Sequence, residues 1–439
     1  MLKASLILFW DRPRMYDMDS EPQPTPGGQN TMLNYAIKWL CLTIIVGILT
    51  GTASAFFLVS LDWVSNFREN NFWIIAFLPI GGLTISLAYH YWGDNVVKGN
   101  NQLLEEFHNP KQVIPLKMAP MIFFGTLITH LFGGSAGREG TAVQIGAAIS
   151  DQFSHIFKLK TQDRQILIII GISAGFASVF GTPFAGAVFA LEVLILKKYR
   201  YDAIIPSMFA ALIADYTCSA WNVSHTEYNI PFVPVMTIEN ILWAILAGII
   251  FGLAAMLFTG TNHFFSAVFK KINYAPFRPL IGGIFIAVVV WMMGSQKYIG
   301  LGIPMIESAF KTDLNSYDFL LKILLTSFTI GAGFKGGEVT PLFFIGATLG
   351  NVLIWFVPLP MALLVGMGLV AIFAGASNTP VASIILGIEL FGIESIFFIC
   401  IACLFSYLCS GGTGIYTSQI KGGPKFLIYD WIRSKRTAI

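Results

Sequence analysis

Charge is what this chain most conspicuously lacks. Of its 439 residues only 12% are charged, 27 Lys+Arg against 24 Asp+Glu, while 55% are hydrophobic. An ordinary soluble domain carries about 25% charged residues, so these residues do not suffice to cover the wet surface of a soluble protein this long. That excludes a soluble enzyme and a disordered chain. A formal charge of +3 is too small to point to nucleic acid. Cysteine is scarce too. Cys41, Cys218, Cys400, Cys403 and Cys409 all lie in or beside apolar segments, which excludes a disulfide-knit secreted module. Cys400 and Cys403 form a CxxC without a second pair and read as buried small hydrophobes. His90, His108, His130 and His155 lack metal-ligand spacing, and no Ser-His-Asp set, phosphate loop or HExxH occurs. The reading is therefore not an enzyme, with no cofactor and no metal expected. What is present is apolar sequence in helix-length runs: an all-α, multi-spanning membrane protein.

A helix that crosses the bilayer needs about 20 apolar residues. Candidate spans fall at 36–61, 72–92, 116–135, 164–197, 203–218, 240–268, 279–294, 319–334, 339–390 and 395–420. Residues 339–388 run for fifty positions without Asp, Glu, Lys or Arg. That run is too long for one helix and is cut by Pro358, Pro360 and Pro380; Gly181-Thr182-Pro183 similarly breaks 166–191. Broken helices at membrane depth are tolerated where the freed backbone groups face protein or a wet cavity, and they mark transport sites. Residues 1–35 read as a loose tail without a signal-cleavage pattern, with Met15, Met18 and Met32 as alternative starts. Basic clusters at Lys197-Lys198-Arg200, at Lys270-Lys271-Arg278 and in the tail Lys421-Lys425-Arg433-Lys435-Arg436 place those loops and both termini in the cytoplasm. A short tail, 431–439, follows with no regulatory domain, and the setting expected is the plasma (inner) membrane.

The chain also repeats itself. At an offset of 197, Gly171, Ala174, Phe176, Ala177, Thr182, Pro183, Ala185 and Glu192 recur as Gly368, Ala371, Phe373, Ala374, Thr379, Pro380, Ala382 and Glu389. A second echo sets Gly137, Glu139 and Thr141 on Gly336, Glu338 and Thr340. Two homologous halves follow, 36–225 and 226–430, and such repeats bring corresponding broken helices together at the midplane.

The chemistry concentrates where glycine-rich segments enter helices. Gly133-Gly134-Ser135-Ala136-Gly137-Arg138-Glu139-Gly140-Thr141 precedes a helical apolar pattern. A helix start leaves about four N–H groups unpaired with roughly half a positive charge behind them, an anion site without a basic side chain. Glu139 stands at that start. Its carboxylate either occupies the anion position and leaves it when protonated, or simply caps its helix and pairs with Arg138. Gly331-Ala332-Gly333-Phe334-Lys335-Gly336-Gly337-Glu338-Val339-Thr340-Pro341 is the matching segment of the second half. Its GxGxxG lacks the preceding strand of a dinucleotide site, and Pro341 suits a first helical turn. Glu338 acts directly or forms a local ion pair with Lys335. Gly99-Asn100-Asn101 opens a third short helix, with Asn100 a candidate cap, and Tyr416 is either an interfacial anchor or a site residue.

These motifs resemble those of CLC-type anion transporters, over residues 36 to 430. The strongest signature is Gly137-Arg138-Glu139-Gly140 followed by Val143-Gln144-Ile145-Gly146, with Thr141 where the family carries proline. The resemblance implies two inverted repeats with broken and re-entrant helices, a homodimer with one ion pathway per subunit, Glu139 as the gating glutamate, and Tyr416 as a ligand of the central anion. Three departures follow. Asn100 replaces the central-site serine, Val339 stands where phenylalanine is common, and Val193 falls where many antiporters carry an internal proton-relay glutamate. The combination resembles the fluoride/proton antiporter branch. The function expected is fluoride export in exchange for protons, with Gly99, Asn100, Arg138, Gly140, Thr141, Glu338, Val339, Thr340 and Tyr416 around the anion. A chloride/proton exchanger or chloride channel on the same fold is the alternative. Without a carboxylate at Val193, Glu139 carries the proton alone or Glu338 assists; the first route is the simpler.

Overall fold

A computed structural model describes residues 29–194, 200–420, 422, 425–427 and 429. Most of the N-terminal tail, Lys197, Lys198, Lys421 and residues 431–439 lie outside the described residues. Every regular element among the described residues is helical. The first half contains α1 (Gln29–Asn70), α2 (Leu78–Trp92), α3 (Asn100–His108), α4 (Met118–Leu131), α5 (Glu139–Ile156), α6 (Thr161–Phe180), α7 (Pro183–Leu194) and α8 (Tyr201–Ser219). The second contains α9 (Ile238–Lys270), α10 (Phe277–Met293), α11 (Ile303–Ala309), α12 (Asp318–Gly331), α13 (Val339–Val352), α14 (Met361–Ser377), α15 (Pro380–Phe391) and α16 (Ile396–Cys409).

Among the described residues only α1, the 72–92 stretch, α6 and α9 are long and apolar enough to cross a bilayer unaided. The other apolar helices are shorter, and prolines set several of their starts. Pro183 and Pro380 open α7 and α15, where their missing N–H costs nothing. The long runs 164–197 and 339–390 therefore divide where proline and glycine interrupt them. Helix α1 begins at Gln29, inside the segment read as tail. Helix α5 was absent from the list of spans, because Gln144, Ser150 and Asp151 interrupt its apolar pattern. These side chains are nevertheless buried, so the helix is lined by protein rather than lipid.

The two halves interlock. Helices α5 and α6 of the first half correspond to α13 and α14 of the second, and each pair crosses at glycines. A Cβ on Gly171 would lie 2.5 Å from the Gly146 carbonyl oxygen, and one on Gly368 only 2.2 Å from that of Gly346. No side chain fits between such backbones, which explains why the repeat preserves Gly171 and Gly368. At the centre, Gly137 and Gly337 exchange antiparallel hydrogen bonds, N–H to O=C at 2.6 and 2.7 Å. A further clasp obeys the same pseudo-symmetry. Glu389 at the end of α15 accepts from the Phe184 and Ala185 amides at the start of α7 (2.9 and 2.7 Å). Glu192 at the end of α7 accepts from Val381 and Ala382 at the start of α15 (3.0 and 2.8 Å). The repeated glutamate is thus a reciprocal helix cap, each half closing a helix of the other.

Candidate anion and proton site

The glycine-rich segments meet between the halves. Glu139 is the first residue of α5 and fully buried. Its Oε2 accepts from the Arg138 N–H at 3.1 Å and from the Thr340 N–H at 3.1 Å, and the Thr340 hydroxyl donates a short hydrogen bond to Oε1. Two of these donors are main-chain amides, one from the start of each half's helix, α5 and α13. A carboxylate thus sits where unpaired helix-start amides converge, and the dipoles of both helices favour a negative charge there. Arg138 contributes its amide, while its Nε lies 3.7 Å from Glu139 Oε1 without a hydrogen bond of its own.

Helix α3 brings its start to the same place from another side. Gly99 has φ +56°, a left-handed conformation that glycine adopts without strain, and a Cβ there would press on Gln144. A Cβ on Gly140 would lie 2.8 Å from Asn100 Nδ2 and 3.2 Å from Gly337 Cα, so the bare Gly140 backbone lets the Asn100 amide approach α5. The buried Asn100 Oδ1 has no partner. Tyr416 is buried, and its phenol lies within electrostatic range of both Glu139 and Glu338. Val339 is buried as the first residue of α13.

Not every expected site residue faces this centre. The Thr141 hydroxyl pairs with Thr126 at 2.7 Å and points into the α4–α5 contact. Lys335 and Glu338 make no ion pair. The Lys335 amine lies over the Tyr89 ring at 4.0 Å, and Glu338 accepts a short hydrogen bond from Asn262 on α9. Lys425, read as part of a basic tail, is fully buried and donates to Asn378 Oδ1 at 2.5 Å and Ser410 Oγ at 2.7 Å. Asn378 in turn donates to Gln419 (3.0 Å), so the lysine braces the segment that carries Tyr416. The Val193 side chain is buried and apolar, and its carbonyl accepts from Gln419 at 3.4 Å.

Sequence reasoning overlooked the supports of the site. Gln144 donates to the Gly140 carbonyl at 3.1 Å and packs under Gly99. Ser418 donates its amide to Asn101 Oδ1 and its hydroxyl to Glu105, each at 3.0 Å, tying α3 to the Tyr416 segment. At the far end of α3, Glu106 and Asp151 share Arg164. Arg164 Nε and Nη2 reach the two Asp151 oxygens at 2.8 Å each, and Nη2 lies 3.3 Å from Glu106 Oε2. A polar residue inside an apolar run, as Asn262 is in 240–268, was the available signal for the rest. No group of three His, Cys, Asp or Glu side chains among the described residues is arranged to hold a metal.

A family model described as voltage gated chloride channel matches residues 81–411. A "Chloride/fluoride channel protein" of Pseudomonas syringae pv. tomato is 50% identical over 404 residues, 90% of this chain and 89% of the relative. An H(+)/Cl(-) exchange transporter of Vibrio vulnificus is 25% identical, covering 81% of this chain and 82% of its own. Among solved structures, a CLC-type fluoride/proton antiporter superposes with a TM-score of 0.86 at 35% identity, covering 90% of this chain and 99% of that one. A slow cyanobacterial Cl-/H+ antiporter, 18% identical with a TM-score of 0.76, shares the fold. With this architecture, and with more than half of its length matched, the chain belongs to the voltage gated chloride channel family, on the CLC fold of two inverted repeats.

Proposed function

We propose that this protein is a fluoride/proton antiporter that expels fluoride from the cell, with Glu139 as its gating and proton-coupling carboxylate. The observation that carries the reading is the Glu139 carboxylate resting on one main-chain amide from the start of each half's helix. A fluoride ion carries the same charge and needs the same donors to replace its water. Carboxylate and anion therefore compete for one seat, and a proton on Glu139 removes the charge that holds it there. The family relatives named above for fluoride support the choice of anion. Asn100, whose amide stands against Gly140, supplies an N–H donor where a serine would supply a hydroxyl.

The halves on either side of the seat comprise 36–225 and 226–430. The protein works as a homodimer in the inner (plasma) membrane with both termini cytoplasmic, Tyr416 on the inner side of the anion, and Gly99, Gly140, Glu338 and Val339 lining the path. Proteoliposomes loaded with fluoride test the proposal: an outward fluoride gradient drives proton uptake in wild type, and Glu139→Gln abolishes the proton movement. Persistent coupled uptake in Glu139→Gln refutes the role of the carboxylate. A chloride flux larger than the fluoride flux turns the reading to the chloride/proton exchange carried out by the more distant relatives.

A further inference from the structure

Glu338 is an unusual carboxylate even beside Glu139. It is partly buried immediately before α13, and among the described residues no cation comes within ion-pair distance of it. Its side chain has one hydrogen-bond donor, the Asn262 Nδ2 of α9. An ionisable group at membrane depth costs about 3 kcal/mol on insertion scales and is retained for function. Asn262 carries a second anomaly. It is 5% exposed, and its Oδ1 is buried without a partner, although such an orphaned acceptor is destabilising.

The two anomalies explain each other. A primary amide offers N–H donors on one side and a carbonyl acceptor on the other. Ionised Glu338 needs a donor, which Nδ2 supplies. Protonated Glu338 becomes an O–H donor and needs an acceptor, and Oδ1 lies one rotation of the amide away. We propose that Asn262 is a positioning residue that holds Glu338 in both of its protonation states. This rests on the antiport reading above, with Glu338 assisting Glu139 on the proton route that Val193 leaves without a relay glutamate.

Position supports the assignment. Asn262 lies eight residues before Lys270, the last residue of α9, or about 12 Å from the basic end of that helix at 1.5 Å per residue. Glu338 immediately precedes the start of α13, and Thr340, two residues on, holds Glu139. One helix start thus has a carboxylate on each side, with the Tyr416 phenol in electrostatic range of both. Other titratable or charged groups on the surrounding elements are engaged elsewhere, His263 excepted. Lys335 of its own segment stacks on Tyr89. Lys322 and Asp318 of α12 bond to the Gly300 carbonyl and to the Tyr298 hydroxyl. Arg138 accompanies Glu139, and the Nε2 of His263, next to Asn262 on α9, is buried without a partner.

Asn262→Thr and Asn262→Val provide the test, because the two side chains share a shape and only threonine keeps a donor and an acceptor. In fluoride-loaded liposomes Asn262→Val is expected to lower proton uptake about tenfold and to displace its pH profile, whereas Asn262→Thr restores most of the uptake. In a Glu338→Gln background, itself impaired in proton uptake, Asn262→Val is expected to add nothing. A wild-type ratio of protons to fluoride and a wild-type pH profile in Asn262→Val overturn the inference, as does a full further tenfold loss on top of Glu338→Gln or normal uptake in Glu338→Gln alone. Equal impairment of the Thr and Val variants, with both eluting as folded protein, also overturns it. Glu139→Gln in the same assay separates the two levels: if it stays coupled the antiport reading fails, and if it is uncoupled while Asn262→Val behaves as wild type only the role of Asn262 fails.

Discussion

Replacing Arg164 by methionine tests how α3 is held against the helix starts that carry Glu139. Arg164, Asp151 and Glu106 are all buried. The guanidinium spans both carboxylates and also donates to the Gln112 carbonyl at 2.7 Å. Methionine fills much of the aliphatic volume but leaves two negative charges without their cation. Breaking a buried pair by removing one partner costs roughly 3–5 kcal/mol. Here each carboxylate keeps two donors. Asp151 retains the Ile114 amide (2.8 Å) and the Ser154 hydroxyl (2.9 Å), and Glu106 retains the Lys111 and Gln112 amides (2.9 and 3.1 Å). The cost therefore falls at the low end, about 3 kcal/mol, a factor on the order of 150 in the folded-to-unfolded ratio. Equilibrium unfolding in mixed micelles, followed by tryptophan fluorescence, measures it. Neutralising the partners as well, in Arg164→Met/Asp151→Asn/Glu106→Gln, is expected to recover more than half of the loss, since the damage lies in the uncompensated charges. An Arg164→Met variant within 1 kcal/mol of wild type, or a triple variant no better than the single one, refutes the argument.

Three further outcomes follow from the same contacts. Gly171→Ala and Gly368→Ala each force a methyl against a neighbouring backbone carbonyl and are expected to destabilise by at least 1–3 kcal/mol, read as a lower unfolding midpoint; either variant matching wild type contradicts the close crossing. Glu192→Ala and Glu389→Ala each remove a carboxylate that accepts two helix-start amides. Each is expected to cost about 1–2 kcal/mol, and because the sites are reciprocal the two losses should match in the same unfolding assay. Asn100→Ser replaces an amide donor by a hydroxyl beside Gly140 and is expected to reduce the preference for fluoride over chloride in paired liposome fluxes; unchanged selectivity counts against a side-chain origin for it.

Much of this architecture was legible before any coordinates. A chain with 12% charged residues has to place its side chains in lipid or against one another, and proline and glycine locate the breaks because a missing N–H or a missing Cβ acts locally. The repeat was equally visible, since Gly171 and Gly368 answer a steric demand that any side chain violates, and Glu139 stood out as an ionisable group in a glycine-rich helix entry. What local pattern does not carry is the partner of each polar group. Thr141 and Thr340 hold equivalent places in the repeat, yet one hydroxyl turns to Thr126 and the other to Glu139. Lys425 looked like a solvated tail charge and is a buried brace.

Sequence alone determined that this is a membrane-embedded, twofold-repeated helical protein with a carboxylate at a helix start, because hydropathy, backbone stereochemistry and repetition are properties of the chain itself. Only the tertiary structure decided that Glu139 rests on amides from both halves, that Asn262 donates to Glu338, and that Arg164 anchors the helix bearing Asn100. Those contacts join residues up to 201 positions apart, and a hydrogen bond is set by distance and angle, which no local spacing encodes.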